Sequence, residues 1–406
     1  MHNVCPLFAT EEHPPPAQPT CPFCLAGPGP NGYRSVDVSE PPGFTTWHSL
    51  GDIEFSGGFE FTPRALRARL GAQQAPPTHR ANVSIAAGPG TVYRINDNGG
   101  DDFAFQKHAT SHVWIVDDAF QQAVLDLPPN RRGVRGPAYD QPPQILRRAL
   151  GAILPTDVLT IGMRTVPVGL TLNPAVNEAK AAWFSFGFLF RRAAAVTLDV
   201  SESELDLGIQ PMPDPTMPFS SPSARVFISD SLENGAGYST HLGDPNRLEE
   251  LLRFMLGTPD PTFYDGIATA PHDTDCDTSC PKCLREYGNM PYHPLLDWRL
   301  AFDMTRLALD GNAPIDFSLP YWNTFVPRVA SAYFQGMGLT PTMLGGLHAG
   351  VNIARQEATI LIHPLWDHQN RANWRPELAT AAAEAQQRGL QSRFRSVFHI
   401  VRFPYE

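Results

Sequence analysis

The stretch "HDTDCDTSCPKCLREYGNMPYHPLLDW", His272 to Trp298, places half of the chain's six cysteines within eight positions. Cys276-x3-Cys280-x2-Cys283 is a tight bite. A Cys-x-x-Cys pair lets two thiolates reach one tetrahedral Zn²⁺ from a single turn, with backbone N–H groups stabilising the sulfurs. Three thiolates leave one ligand to find. His293 stands ten residues after Cys283 and His272 four residues before Cys276, and either would complete a Cys3His set. His293 is the preferred reading, because it precedes a helix that the metal would anchor. That helix follows from the apolar spacing of "LLDWRLAFDMTRLAL".

The other three cysteines, Cys5, Cys21 and Cys24, lie near the N-terminus. Disulfide frameworks spread cysteines through small domains, whereas metal sites cluster them at short spacing. With His2, or His13 in its place, this group reads as a second tetrahedral site in a zinc-ribbon-like module over residues 1–45. Closed four-ligand shells of this kind are structural and leave no open position for catalysis.

Outward from these clusters, 406 residues suffice for two or three domains, and 41 prolines imply long irregular connections. A β-rich segment is expected over 46–165, with strands in "FEFTPRALRARLG" and "HVWIVDD" and a hairpin over 90–107 turning at Asn96–Gly100. An α/β zinc-binding domain follows over 166–320. It begins with a buried helix around "AAWFSFGFLF", opened by Asn173 as N-cap and Pro174 at the first helical position. Next come the strand "ARVFISD", the turn "SLENGAGYS" and a helix capped by Asp244-Pro245. The last segment, 321–406, reads as strand "ATILIHPLW", helix "RPELATAAAEAQQRG" and strand "SVFHIVRF". Two such units predict a mixed α/β fold with a partly parallel sheet of β-α-β units.

The chemistry classes narrow quickly. A net charge of −10 opposes gripping nucleic acid through the overall field. Arg131, Arg132 and Arg135, on the loop "LPPNRRGVRGPAYDQPP", form the clearest basic spot and the DNA-contact candidate. The bland reading of that spot is a solvated loop. No Gly-Lys-Ser/Thr phosphate loop, helicase signature, Gly-x-Ser-x-Gly or His-Glu-x-x-His occurs. No catalytic residues are therefore nominated. Asp230 and Glu233, at a strand end, could hold Mg²⁺ in a nuclease, but the lysine such motifs carry is missing nearby. The Gly-Ala-Gly turn after Asp230 reads as a tight crossover or, at its most functional, an anion cradle. "LDVSESELDLGI" reads as a solvated charge run. No signal peptide or bilayer-length apolar run is present, so a soluble cytoplasmic protein without membrane contact is expected.

"SESELDLGI", "VFISDSLENGAGYSTHL" and "CDTSCPKCLREYGNMPYHPLLDWRLAFDM" together resemble the helicase-associated zinc-binding (DUF1998-like) family. That family occurs at the C-terminus of the repair helicase MrfA and in the DrmB subunit of the DISARM antiviral defence system. "EPPGFTT", "FEFTPRALRARL" and "YRINDNGGDDFAF" resemble the segment preceding this domain in DrmB-like proteins. The resemblance spans about residues 20–310, and its most specific part is the block from the cysteines to Leu-Asp-Trp. It implies a zinc-binding accessory subunit, or C-terminal part, working beside a superfamily 2 helicase and engaging DNA through that complex. The family's metal cysteines carry over onto Cys276, Cys280 and Cys283. The repair-helicase branch has a further cysteine where this chain reads Arg285-Glu286-Tyr287-Gly288, which makes His293 the natural substitute. The competing classes are a metal-dependent nuclease and a purely architectural scaffold.

Overall fold

Ala181 to Phe190 is apolar on every side, and such a helix must be covered all round. In the computed structural model it lies at the centre of helix α1, Asn177–Leu198, where every residue from Ala181 to Phe190 is buried. The structure describes residues 2–4, 9–10, 27–28, 34–40, 67–70, 76–96, 102–107, 114–116, 145–213 and 222–405. The chain divides into two units, one of residues 1–71 and 92–154 and one of 72–91 and 155–406. Strands Val83–Asn96 and Ile145–Met163 contribute residues to both.

In the first unit, His2–Val4 pairs antiparallel with Ala9–Thr10 and with Arg34–Val36. Arg67–Leu70 pairs with Val92–Ile95, and Val36, Ile95 and Ala149 form a small buried cluster. The expected hairpin over 90–107 is not formed. Phe103–Lys107 pairs instead with Ile145–Arg148 and with Trp114–Val116, because the long strand Ile145–Met163 offers it an edge.

The second unit holds the larger core. Leu205–Pro213 and Pro222–Asp230 form an antiparallel hairpin, and Pro222–Asp230 pairs antiparallel with Val158–Gly162. Here the parallel pairing expected of a β-α-β unit around "ARVFISD" is corrected. The residues read as a solvated charge run are a 3-10 turn, Glu202–Glu204, followed by a strand whose Leu205 and Ile209 face the core. A hairpin needs no crossover helix, so this sheet is antiparallel.

Helix α1 lies on that hairpin. A Cβ on Gly187 would come within 2.4 Å of Leu207 Cδ1, so glycine allows this approach without displacing that side chain. On its other sides α1 meets α2, Pro245–Met255, and α3, Trp298–Leu309. It starts one turn later than the sequence suggests. Asn173 Oδ1 accepts from Ala175 N at 2.9 Å in a separate turn, and the N-cap is Val176, whose side chain makes no cap bond.

Asp244 does cap α2, accepting from the Asn246 and Arg247 amides at 3.0 Å each. Asp244→Ala is expected to cost about 1 kcal/mol. Urea denaturation checks this, as a lower midpoint with an unchanged slope.

Thr340–Leu344, Leu347–Asn352 and Glu357–Ile362 form an antiparallel meander, and Gln391–Ser396 adds to it in parallel after helix Pro376–Gln387. The strand expected over "SVFHIVRF" is corrected. Val397–Arg402 is a helix burying Val397, Phe398 and Ile400, and the strand is the more polar Gln391–Ser396 just before it. Among the described residues, no helix is long and apolar enough to cross a membrane.

Candidate metal centre

His272 and Cys276 open the site from one helical turn. His272–Asp275 is a four-residue helix, and Cys276 N donates to His272 O at 2.9 Å. Spacing of four residues puts the imidazole and the first sulfur on one side of that turn. The chain then folds back through Cys280-Pro281-Lys282-Cys283. The amides of Cys283, Leu284 and Arg285 all donate to Cys280 O, at 3.0–3.1 Å. The Cys280 amide donates to Cys283 Sγ at 3.1 Å, the N–H···S contact expected of a thiolate knuckle.

These turns bring His272, Cys276, Cys280 and Cys283 together, with one ligand atom from each within 4.8 Å of all the others. The sulfurs of Cys276 and Cys283 are 3.9 Å apart, as are those of Cys280 and Cys283. His272 Nε2 lies 3.3 Å from Cys280 Sγ. A tetrahedron with Zn–S of about 2.3 Å and Zn–N of about 2.0–2.1 Å sets S···S near 3.8 Å and S···N near 3.6 Å. The observed spacings match these to a few tenths of an ångström. They are nearly twice the ~2.05 Å of a disulfide, and all three cysteines are free.

The surroundings fit a metal as well. His272 Nδ1 lies 2.7 Å from Ile267 O. Donation to that carbonyl fixes the tautomer and leaves the Nε2 lone pair facing the sulfurs. Burial lowers the His272 pKa, which keeps the ring a neutral ligand. A hydrogen bond from Cys283 pulls the Cys276 thiol down to about 7, while Cys283 is pushed up, first by its hydrogen bond to Cys276 and then by burial. Sulfurs this close share protons unless a cation takes their place, and the donor set of three thiolates and one imidazole suits Zn²⁺.

The Leu-Leu-Asp-Trp block is the clamp on this loop. Leu296 is buried, and Asp297 caps α3 by accepting from the Arg299 amide at 3.1 Å. Trp298 donates from Nε1 to Cys276 O and from its amide to Thr278 O, both at 3.0 Å. Arg299 is fully buried. Its guanidinium donates to the carbonyls of Asp277, Tyr321 and Asp273 and lies 3.6 Å from the Phe325 ring centroid. From α1, Arg192 donates to Cys283 O at 3.1 Å.

It is His272, the alternative, that the structure places beside the three cysteines, while His293 is engaged elsewhere. His293 Nε2 sits 2.8 Å from Asn289 Oδ1 and 3.0 Å from Glu286 O. It fastens the 3-10 segment Tyr287–Tyr292, whose hub is the buried Asn289. The i, i+4 relation of His272 to Cys276 was the available signal. Cys5, Cys21, Cys24, His13, Arg131, Arg132, Arg135 and the side chain of His2 lie outside the described residues.

Asp230 is fully buried, and its carboxylate is spent on its own loop. It accepts from the amides of Ala236 at 2.7 Å, Tyr238 at 3.1 Å and Ser239 at 2.9 Å. Glu233 is exposed. The Gly-Ala-Gly turn is thus closed by a resident carboxylate. Its amides are not presented to a phosphate, and Asp230 is not free to hold Mg²⁺.

No family model and no curated protein matches the chain. Among solved structures, the crystal structure of the DUF1998 helicase MrfA bound to DNA is similar at 12% identity and a TM-score of 0.32, over 61% of this chain and 25% of that one. The chain thus spans about a quarter of that protein's length.

Proposed function

We propose that this chain is a zinc-binding accessory subunit, or the C-terminal part, of a helicase-containing antiphage-defence or DNA-repair system. The observation that carries the reading is the His272, Cys276, Cys280 and Cys283 cluster, locked to the Leu-Asp-Trp helix by Trp298 and Arg299. Zn²⁺ there has a closed shell and a structural role. It holds the loop 272–298 in shape and supplies no open coordination position for chemistry. The same block carries the sequence resemblance to the helicase-associated family, which supports a superfamily 2 helicase as partner and DNA engagement through the complex. Arg131, Arg132 and Arg135 remain the proposed DNA contacts, and Cys5, Cys21, Cys24 and His2 the proposed second zinc set. The nuclease alternative loses its strand-end carboxylate to Asp230's loop bonds.

Co-expression with a helicase encoded beside this chain's gene tests the reading. The expected result is a zinc-containing complex on size-exclusion chromatography, with the chain alone hydrolysing no ATP. A chain that elutes apart from every such helicase, or that carries no zinc while folded, overturns it.

A further inference from the structure

Away from the metal centre, the second unit contains a cleft of about 440 Å³ between the loop 166–173 and the loop 364–373. Its two walls are fastened to one another. Thr171 N donates to Leu365 O and Asp367 N to Gly169 O, both at 2.8 Å. Gly169 has φ +89°, and a Cβ there would meet Arg375 Cγ at 2.5 Å, so the tight apposition requires glycine. The cleft is therefore part of the folded unit, and its volume is in the range that takes a small flat ligand.

The wall chemistry selects among ligands. Leu170, Val176 and Pro364 make apolar surfaces. Two donors are left over. Asn173 and Asn370 each use Oδ1 on a nearby amide, of Ala175 and Ala372, and their Nδ2 groups have no partner among the described residues. Ser396 lines the same cleft, but its Oγ has almost no accessible surface and is not presented to a ligand.

Phosphate is not the match. Among the described residues no lysine or arginine lines the cleft, where His368 faces two carboxylates, and Glu178 in the first turn of α1 offsets that helix's positive end. Asp367 adds a second carboxylate, already committed to the amides of Gln369 and Asn370 and to Asn373 Nδ2. Partly apolar walls, two uncommitted carboxamide donors and no lysine or arginine among the described lining residues describe a site for a neutral planar ring with carbonyl acceptors. Positive charge appears just outside. Arg371, next to Asn370 in the chain, is exposed, with its guanidinium 5.4 Å from the Trp374 ring centroid.

We infer that this cleft receives one unpaired nucleobase of a single strand, with an adjoining phosphate on Arg371. Enzymes and binding folds that read extruded bases use the same pairing of apolar walls with donors at the base edge. The two carboxamide donors select carbonyl-bearing bases, thymine first. The inference deepens the DNA-engaging part of the proposed function and rests on it for the strand.

The test uses the zinc-loaded full chain and fluorescent oligothymidylate of about ten nucleotides, within the span single-strand binders cover. Val168 is 83% exposed at the cleft, so Val168→Trp blocks it without touching the core. Affinity is expected to fall by roughly five- to a hundredfold in Val168→Trp, and similarly for wild type when the strand is made abasic. Asn370→Ala should act in the same direction. Arg371→Ala should lower the salt slope by about 0.7, one phosphate contact on a single strand. Equal binding of abasic and normal strands, wild-type affinity in Val168→Trp, or no strand binding at all overturns the site. Zinc content and helicase complex formation are read separately, so failure here is distinguishable from failure of the accessory-subunit reading.

Discussion

Cys283→Ser is expected to lose one equivalent of zinc per chain and to unfold the segment 272–298. Cys283 is the sulfur that the other two sulfurs approach at 3.9 Å, and it accepts the Cys280 amide. Structural zinc carries an apparent free energy of about 10–16 kcal/mol in small metal-folded peptides at neutral pH. That matches or exceeds the roughly 5–15 kcal/mol of net stability that a whole domain has. The anchors nearest the cysteines come from Trp298, Arg299 and Arg192 and bind the loop's carbonyls in the shape the metal sets. Elemental analysis of purified protein and hydrogen exchange over 272–298 read the two effects. His272→Ala should weaken metal binding strongly, while His293→Ala should keep the full zinc content and only loosen the turn around Asn289. A Cys283→Ser protein with wild-type zinc, or a His293→Ala protein without it, would reverse the ligand assignment.

The way His272 and His293 exchanged places shows where sequence reading stops. The three cysteines were legible because ligand chemistry is local: a tetrahedral ion and a tight turn constrain spacing directly. The histidine was not, since two candidates flanked the cluster at plausible distances. What separated them was a contact invisible in one dimension, the capture of His293 by Asn289 and Glu286 O. The same holds for Asp230. Its position at a strand end was readable, but the return of three loop amides onto its carboxylate was not. Elements with strong local signals, such as the Asp244 cap and the apolar run of α1, appear where expected. Strand partners do not, because pairing depends on edges offered by distant segments. Phe103–Lys107 pairs with Ile145–Arg148 and Trp114–Val116 and not with the strand that precedes it. Val397–Arg402 misled for a related reason. A short run of apolar residues is strand-like or helix-like according to which surface buries it.

The cleft and the metal loop share a core, and one carboxylate ties it together. Asp303 on α3 has no exposed surface and accepts three hydrogen bonds. Tyr321 Oη donates to Oδ1 at 2.8 Å and Trp322 Nε1 to Oδ2 at 3.0 Å, and His363 Nε2 lies 3.1 Å from Oδ2. The Leu365 amide donates to His363 Nδ1 at 3.2 Å, which assigns the proton to Nε2 and makes His363 a neutral donor. Asp303 thus joins α3, whose first turn clamps the metal loop, to the chain at 363–366 that forms a wall of the cleft. Asp303→Leu leaves three buried neutral donors facing a methyl group, and each donor stranded in this way costs about 1–3 kcal/mol. Asp303→Asn keeps one acceptor oxygen but turns an amide N–H₂ toward a donor, so a smaller loss of about 1–3 kcal/mol is expected. Urea denaturation measures both, and zinc content serves as the control, because Asp303 touches no ligand and the metal should stay bound in the folded fraction. Adding Tyr321→Phe to Asp303→Leu removes one stranded donor and should recover part of the loss. A Asp303→Leu protein that unfolds at the wild-type urea concentration would show that hydrophobic packing of Trp322, Phe317 and Trp366 around His363, without the carboxylate, holds these segments together.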